Sequence, residues 1–294
     1  MDVLQSLLSV NNSISLSWKD YEEAVFEEFQ RVYHSLDAEI IKNTYIIGKY
    51  SGVKRQIDVL IKLRKDGVVT STIIIECKHY CTKINVKVVD SFIGCLTDVG
   101  ADKGIIVSEK GFTKAAISRA HKGKDDIEVD ILSLVELQQF QSQAAFPYAG
   151  NSALALSAPF GWVIDGTRRG FAPAVLYRRG IYFEEATKKE KEWMYIQFWD
   201  KQTEIDTLDK LIEAQNESLI VRDGRAKINV AKVDGLIVRQ AILPSYPTPE
   251  ITVFREFDWF IVFVVVYCPE CYIDRDIKKV VSMLKDAIPI HVKQ

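Results

Sequence analysis

Charged residues interrupt two short apolar segments in the first third of the chain. Residues 56–61 and 73–78 each have the length and composition of a buried strand, yet one contains Asp58 and the other contains Glu76 and Lys78. A charge is costly in a strand that has no contact with solvent. These three side chains are therefore the first candidates for chemistry.

A tight turn is expected between the two segments, because Asp66-Gly67 favours a β-hairpin. Folding the hairpin would bring Asp58 near Glu76 and Lys78. Two carboxylates and one ammonium on adjoining strands are costly to bury unless a divalent cation joins them. Mg²⁺ suits this set, because it prefers hard oxygen ligands and leaves most of its coordination shell to water and phosphate. The alternative is a solvated hairpin with an ordinary Glu–Lys pair.

The residues before Glu76 favour the first interpretation. Ile73, Ile74 and Ile75 make both faces of the strand apolar up to the point where the charges begin. Such a run is typical of a central strand whose end opens into a cleft. Because side chains alternate along a strand, Cys77 should point away from Glu76 and its partner Lys78.

The order and spacing of the motifs resemble the Mrr-like restriction endonucleases of the PD-(D/E)xK nuclease superfamily. The resemblance covers about the first half of the chain, and one departure is Ile57, where the family often has Gly before its Asp. The matching segments, in chain order, are Tyr21-Glu22, Ser51-Gly52, Arg55-Gln56-Ile57-Asp58-Val59, Glu76-Cys77-Lys78, Val89-Asp90 with Phe92, Gly104-Ile105-Ile106-Val107-Ser108, and Gly111-Phe112-Thr113 with Ala115-Ala116.

The resemblance implies roles for the candidate residues. Asp58 and Glu76 would be metal ligands, and Lys78 would contact the attacking water or the scissile phosphate. We expect the backbone carbonyl of Cys77 to complete the protein ligands of one Mg²⁺, for which Mn²⁺ should substitute. A helical carboxylate, Glu22 by position, would support the site.

The helix that carries this last carboxylate is expected to begin near Ser17, which can cap it, with Asp20 three residues later in a capping-box pattern. Apolar residues follow at helical spacing. Glu22 lies beside that apolar stripe, whereas Glu23 belongs to an exposed acidic face. The neighbouring position leaves a one-residue ambiguity between them.

Composition limits the function classes. The 294 residues, 48% of them hydrophobic, are enough to bury two cores. Lys and Arg number 38 against 40 Asp and Glu, so the chain lacks the basic excess of a general nucleic-acid binder. A local basic rim flanks the first strand of the hairpin, and Lys54 and Arg55 are its candidate DNA contacts, with solvated hairpin positions as the alternative.

Sequence features bearing on location favour the cytoplasm. The N-terminus lacks the basic start and apolar stretch of a signal peptide. The longest apolar run, residues 259–268, is about half as long as a membrane-spanning helix requires. Five cysteines is an odd number, which indicates reduced thiols. We therefore expect a cytoplasmic protein without membrane contact.

Two cysteine patterns resemble metal sites. Cys77, His79 and Cys81 alternate, but a zinc site is disfavoured because Cys77 should face the core as a small hydrophobic residue. Cys268 and Cys271 have CxxC spacing without a second pair, which is weak evidence for a metal or redox function.

The first half has the pattern of an α/β fold. Helices alternate with strands in an order that predicts a restriction-endonuclease-like mixed sheet flanked by helices. Asn85, Thr113 and Ser133 are the expected helix caps. The strands are predicted at 38–47, 56–63, 71–77, 104–108 and 127–132.

A domain boundary is expected at residues 141–160, which are small, polar and turn-prone. The predicted domains are a nuclease-like domain, 1–145, and a separate α+β domain, 155–294, for recognition, sensing or oligomerisation. In the second, helices are expected near Glu184, from Thr203 and from Asp274. Its strands are predicted at 162–164, 174–177, 181–183, 218–222, 226–230, 235–240, 250–257 and 259–268.

The second half also carries residues suited to nucleic acid. Trp193, Tyr195, Phe198 and Trp199 could stack on bases, although aromatic residues at helical spacing more often lie in a core or an interface. The basic pairs at 168–169 and 178–179 could grip phosphate.

The sequence thus predicts a Mg²⁺-dependent DNA endonuclease of restriction or anti-phage defence. DNA is the expected partner, together with a second copy of the chain and a defence-system partner or signal ligand on the second domain. The alternatives are a catalytically inactive nucleic-acid-binding or assembly protein that retains the nuclease fold, and a junction-resolving nuclease.

Overall fold

The computed structural model describes residues 17–33, 37–121, 127–133, 136–137, 143–179, 181–188, 192–246 and 248–292. The chain divides into two compact units between residues 138 and 139. Each unit has its own sheet and its own hydrophobic core. Among the described residues, no helix is both long enough and apolar enough to cross a membrane.

The first unit is built on a five-stranded mixed sheet in the order β1-β2-β3-β4-β5. The first three strands form an antiparallel meander, and the last two continue it in parallel. The predicted mixed sheet is confirmed. Its strands are β1 (Ala38–Ile47), β2 (Lys54–Lys65), β3 (Val68–Lys78), β4 (Lys103–Ser108) and β5 (Glu128–Ser133).

In the described part of the first unit, the helices of eight residues or more flank this sheet, and their first turns are capped as the sequence predicts. Ser17 and Asp20 form a reciprocal capping box, in which Asp20 N donates to Ser17 Oγ at 3.2 Å. Asn85 Oδ1 accepts from the backbone of the second helix, and Thr113 Oγ1 accepts from that of the third. The helices are α1 (Trp18–Tyr33), α2 (Val86–Val99) and α3 (Lys114–His121).

The turn between β2 and β3 is Asp66-Gly67, as predicted. Both residues have positive φ, 54° and 77°, which is the conformation of the two-residue hairpin turn whose twist matches its strands. The strands extend two or three residues beyond the predicted ends on the turn side, since the tight turn lets pairing continue almost to Asp66.

The second unit contains a seven-stranded antiparallel sheet in the order β12-β13-β14-β15-β11-β10-β9, and a smaller sheet in the order β16-β8-β6, with β7 beside β8. Its strands are β6 (Ala144–Ala145), β7 (Tyr148–Ala149), β8 (Ser152–Ser157), β9 (Trp162–Asp165), β10 (Ala174–Arg178), β11 (Trp193–Asp200), β12 (Lys227–Val233), β13 (Leu236–Ile242), β14 (Glu250–Glu256), β15 (Phe260–Tyr267) and β16 (Ile288–His291).

One face of the seven-stranded sheet forms the core of the second unit. The C-terminal helix packs on this face through Val280, Val281 and Leu284, all of which are buried. The helical segments of the unit are α4 (Phe183–Ala186), α5 (Leu208–Arg222), a 3₁₀ turn (Glu270–Tyr272) and α6 (Ile273–Asp286).

Several predictions for the second half are wrong. The strand expected at 181–183 is absent, because α4 begins at Phe183, and the strand expected at 218–222 is the last part of α5. Residues 193–199 form β11 and not a helix. Residues 144–157, predicted as turn-prone, carry β6, β7 and β8, while residues 141–142 lie outside the described part.

Candidate active site

The register of the β2–β3 hairpin brings the candidate carboxylates together. Val59 pairs with Ile75. Asp58 and Glu76 are therefore the next opposed positions toward the end of the paired strands. Asp58 Oδ2 accepts a hydrogen bond of 2.8 Å from the backbone N–H of Cys77. The hairpin therefore places both carboxylates at the C-terminal end of β3.

Asp58 is a carboxyl group of this site whose pKa is strongly raised. Its pKa rises to about 6, mainly because burial disfavours the charged form. The Cys77 N–H and the ammonium of Lys78 oppose this rise, whereas the carboxylates of Glu76 and Glu22 add to it. An ionised Asp58 therefore lacks a sufficient counter-charge within the protein.

Lys78 is the cation nearest to these carboxylates. Its Nζ forms an ion pair with Glu76 Oε1 and lies 5.7 Å from the ring centroid of Tyr80. Burial by itself would lower the pKa of Lys78, but Glu76, Tyr80 and Asp58 outweigh it, and the pKa is raised. Lys78 is thus a stable ammonium beside two carboxylates.

Glu22 and its neighbour Glu23 have different surroundings. Burial raises the pKa of Glu22, and its charged neighbours include Glu76 and Lys78 as well as Lys42. Glu23 instead forms an ion pair with Lys42. The structure therefore brings Glu22, and not Glu23, into the electrostatic field of the hairpin carboxylates.

The donor set suits a hard divalent cation. Among the described residues, no three His, Cys, Asp or Glu side chains are grouped closely enough to hold a metal ion. Mg²⁺ needs fewer, because it commonly binds one or two carboxylates and keeps several waters. Asp58 and Glu76, with a backbone carbonyl such as that of Cys77, provide such a set. A cation would offset the cost of burying an ionised Asp58, which is the main cause of its raised pKa.

The alternating residues Cys77, His79 and Cys81, which were a possible zinc site, have three different environments. Cys77 is buried, and burial raises the pKa of its thiol well above the ordinary value. His79 Nε2 lies 2.9 Å from Glu109 Oε2, and its ring lies 5.4 Å from that of Tyr21. Cys81 is exposed.

The two predicted DNA contacts, Lys54 and Arg55, also have partners within the protein. Lys54 Nζ lies 4.2 Å from the ring centroid of Tyr45. Arg55 Nε donates to Asp98 Oδ2 at 2.8 Å, and the side chain of Asp98 is only 7% exposed. Sequence reasoning missed Asp98, because the backbone groups that it binds at Tyr50 and Ser51 are more than 40 residues away; its one signal was a carboxylate in an otherwise apolar helix end.

In the second unit, the predicted aromatic residues line an open groove. Trp193 and Tyr267 stack with ring centroids 4.9 Å apart, while Phe171 stands nearly perpendicular to both Trp193 and Tyr195. The groove has a volume of about 680 Å³ and includes Phe198 and Trp199 in its lining.

Of the basic residues predicted to bind phosphate in that unit, Arg178 is contradicted by the structure and Arg168 is exposed. Arg178 is buried, with its Nε 3.8 Å from Glu192 Oε2, so it cannot grip a phosphate at the surface. Arg169 pairs with Asp165 at 2.8 Å. Arg168 lies over the ring of Tyr148.

Comparison with known proteins gives one family. Residues 15–141 match the family model Mrr_cat, described as restriction endonuclease. No curated protein matches the chain.

Solved structures show weak similarity. The protein of unknown function AF1548 is 21% identical, with a TM-score of 0.30 and coverage of 38% of this chain and 57% of that one. The DNA modification-dependent restriction endonuclease AspBHI is 11% identical, with a TM-score of 0.23 and coverage of 44% and 42%. Cyanobacterial PsbP from Synechocystis sp. PCC 6803 is 11% identical, with a TM-score of 0.31 and coverage of 53% and 95%.

The chain thus spans little more than half of the AF1548 protein. The match that bears on identity is the family model, and it contains the whole hairpin and the helix that carries Glu22. Residues 15–141 of this chain are therefore similar to the restriction endonuclease domain that the Mrr_cat model describes.

Proposed function

We propose that the chain is a Mg²⁺-dependent DNA endonuclease of restriction or anti-phage defence, acting at Asp58, Glu76 and Lys78. The observation that carries this proposal is the pair of carboxylates on adjoining strands, one of which has a pKa raised to about 6. Within a restriction endonuclease domain, such uncompensated charge suits a metal-assisted reaction.

Asp58 and Glu76, with the backbone carbonyl of Cys77, would hold Mg²⁺ or Mn²⁺. When bound, the cation supplies positive charge to the phosphate and makes a neighbouring water easier to deprotonate. The carboxylates fix the position of the scissile phosphate relative to the hairpin. Glu22 restrains the site from α1.

Lys78 acts on the reacting groups. Its ammonium stabilises the attacking hydroxide and the extra negative charge that develops when five oxygens surround phosphorus. The balance is one of hydrolysis: a water oxygen forms a bond to phosphorus, one phosphodiester P–O bond breaks, and the departing alkoxide takes a proton. Glu76, paired with Lys78, keeps the ammonium directed toward this position.

Nicking of supercoiled plasmid by the full chain tests the proposal. We expect cleavage with Mg²⁺ or Mn²⁺, none with EDTA, and little with Ca²⁺, whose looser oxygen shell positions the reacting groups poorly. Plasmid that stays intact with every metal, although DNA binds, would favour an inactive protein that retains the nuclease fold.

We further propose that the second unit selects the DNA or assembles the enzyme with another copy of the chain. The aromatic groove supports this role, since Phe171 is 45% exposed at its edge and offers a stacking surface. Phe171→Ala should alter either the preference among phage, methylated and unmodified DNA or the mass in solution. Phe146→Ala is the matched control, because Phe146 is 67% exposed outside the groove. No change in preference, mass or rate for Phe171→Ala would refute this role.

A further inference from the structure

The turn between β1 and β2, residues 48–53, projects an unusual set of side chains into solvent. Tyr50 is 81% exposed and Val53 is 53% exposed. Lys49 lies between the start of the turn and Tyr50 and is also exposed. The turn thus exposes an aromatic ring and an aliphatic side chain, while the Lys49 ammonium lies beside Gly100 at the end of α2.

The strands that lead into this turn continue the same surface. Ile47 pairs with Lys54, and Tyr45 pairs with Gln56, so these four side chains share one face. All four are exposed, and Lys54 lies over the ring of Tyr45. The combined surface is apolar and cationic, without a carboxylate among these residues.

The turn is fixed from behind by Asp98. Its carboxylate accepts from the N–H groups of Tyr50 and Ser51 at 3.2 and 2.9 Å, from the Ser51 hydroxyl at 2.6 Å, and from Arg55. The hydrogen bonds from Ser51, with those from Arg55 and Tyr50, hold the pKa of Asp98 well below its usual range. Gly48 fits because a Cβ there would lie 2.2 Å from Asp98 Oδ2. The exposed tip therefore has a defined conformation.

The turn and the candidate active site lie at the same end of the strands of this sheet. β2 leaves the turn at Lys54 and reaches Asp58 four residues later, a distance of about 13 Å at the rise of a strand. At about 3.4 Å per base pair, this corresponds to roughly four base pairs of duplex.

We propose that residues 48–53 form a DNA-contacting wedge, in which Tyr50 packs against bases or sugars in a groove and Lys49 and Lys54 bind the flanking phosphates. The inference rests on the proposed nuclease function and names how its DNA is held. Aromatic and aliphatic side chains inserted between cations are typical of residues that enter a groove and separate stacked bases.

Binding of a fluorescent duplex to the full chain in Ca²⁺, followed by anisotropy at several salt concentrations, tests the wedge. Tyr50→Ala should weaken binding about tenfold, since stacking on one base is worth about 1–3 kcal/mol. Tyr50→Phe should restore affinity to within about twofold, because the ring is retained. Lys49→Ala should reduce the slope of log Kd against log salt by about 1, whereas Tyr50→Ala should leave that slope unchanged.

Two controls separate local contact from general effects. Lys65→Ala removes an exposed lysine at the opposite end of β2, and Tyr182→Ala removes a tyrosine that is 61% exposed in the second unit; both should bind DNA as the unaltered chain does. Thermal unfolding should be unchanged by Tyr50→Ala, since the ring is outside the core.

Unchanged affinity of Tyr50→Ala would overturn the wedge, and so would a change in mass in solution that shows self-association through the turn. A different result is expected if the nuclease proposal is wrong and the wedge is correct. Tyr50-dependent binding without cleavage in Mg²⁺ would remove the activity and leave the wedge in place.

Discussion

Asp58 in the first unit and the buried carboxylates of the second unit are compensated differently. In the second unit, Glu250 Oε1 lies 3.1 Å from the guanidinium of Arg239, and both side chains are less than a tenth exposed. Asp276 is also buried, and the charged groups that most affect it, Arg275, Arg178 and Lys279, are all cations. In the first unit, Asp58 has two carboxylates and one ammonium as its main charged neighbours.

The difference distinguishes carboxylates that stabilise the fold from carboxylates that are suited to bind a ligand. A buried carboxylate with a guanidinium partner is satisfied by the protein itself, and removing either partner leaves an uncompensated charge. A carboxylate whose neighbours are mostly carboxylates is compensated only by a proton or a bound cation.

The largest effect is expected at the metal ligands. Asp58→Ala and Glu76→Ala should each lower plasmid cleavage by on the order of 10³ or more, because the charge that offsets the developing phosphate charge is lost with the cation. Circular dichroism should show an intact fold. Cleavage by either variant at a rate near that of the unaltered chain would show that these carboxylates are not needed for catalysis.

The opposite behaviour is expected at the satisfied pair. Glu250→Gln should lower the free energy of unfolding by about 3 kcal/mol, since it leaves the Arg239 guanidinium buried without a counter-charge. The control is Asp206→Asn, which breaks an exposed pair with Lys210 and should leave stability nearly unchanged. Chemical denaturation measures both. Equal effects of the two variants would contradict the structural role of the buried pair.

Lys78→Ala should lower the single-turnover rate by on the order of 10², with DNA affinity nearly preserved. The reason is that the ammonium acts on charge that appears only during the reaction. Rapid-quench cleavage and binding in Ca²⁺ separate the two quantities. Weakened binding with an unchanged single-turnover rate would place Lys78 among the residues that only grip phosphate.

Asp58→Asn should stabilise the metal-free protein by about 3 kcal/mol at pH 7.5, while removing cleavage. The folded-state pKa of Asp58, about 6, lies above the ordinary value of 3.8, so its contribution to stability is complete below pH 3.8 and is lost as pH rises through 6. The variant has no ionisable group at this position and does not lose this stability. Its free energy of unfolding should therefore equal that of the unaltered chain near pH 4. Denaturation with and without Mg²⁺ measures it, and Mg²⁺ should stabilise only the unaltered chain. A variant less stable than the unaltered chain at pH 7.5 would show that Asp58 is a satisfied group.

Glu22→Gln should have the smallest effect, about a tenfold loss of cleavage, since supporting residues of a metal site typically contribute 10- to 100-fold. Glu23→Gln is its matched control and should cleave normally, because that carboxylate is paired with Lys42. Equal loss in both variants would point to a general effect of α1 and not to support of the site.

The fold of the first unit could be predicted largely from the sequence because its signals are local. The β1 bounds match those predicted, and each cap residue lies next to the helix it caps. Asp66-Gly67 encoded its own turn, which fixed the β2–β3 register and hence the opposition of Asp58 to Glu76.

The second unit was harder because its signals are distant or ambiguous. In β11, Trp193, Tyr195 and Trp199 alternate with Met194 and others, but both faces of the strand are apolar, so the two-residue period was hidden. β8 pairs with β16, which lies at the other end of the unit in the sequence. Pairing over such a separation leaves no local pattern.

Within the candidate site, sequence reasoning found the groups that carry charge and missed those that fix geometry. Asp98 illustrates this limit, because its role depends on hydrogen bonds to a turn more than 40 residues earlier in the chain. Periodicity placed Glu22 beside the apolar stripe but left a one-residue ambiguity with Glu23, since adjacent helical residues differ by only a fraction of a turn.

The β1–β2–β3 meander also has a consequence for how the chain folds. Its strands are joined by turns of six and two residues, whereas β4 joins β3 only through a crossover that includes α2. Short-range pairings form early, so Asp58 and Glu76 should meet while both are still hydrated. Their mutual repulsion is then felt mainly after the helices dock and water leaves. We therefore expect it to accelerate unfolding more than it slows folding.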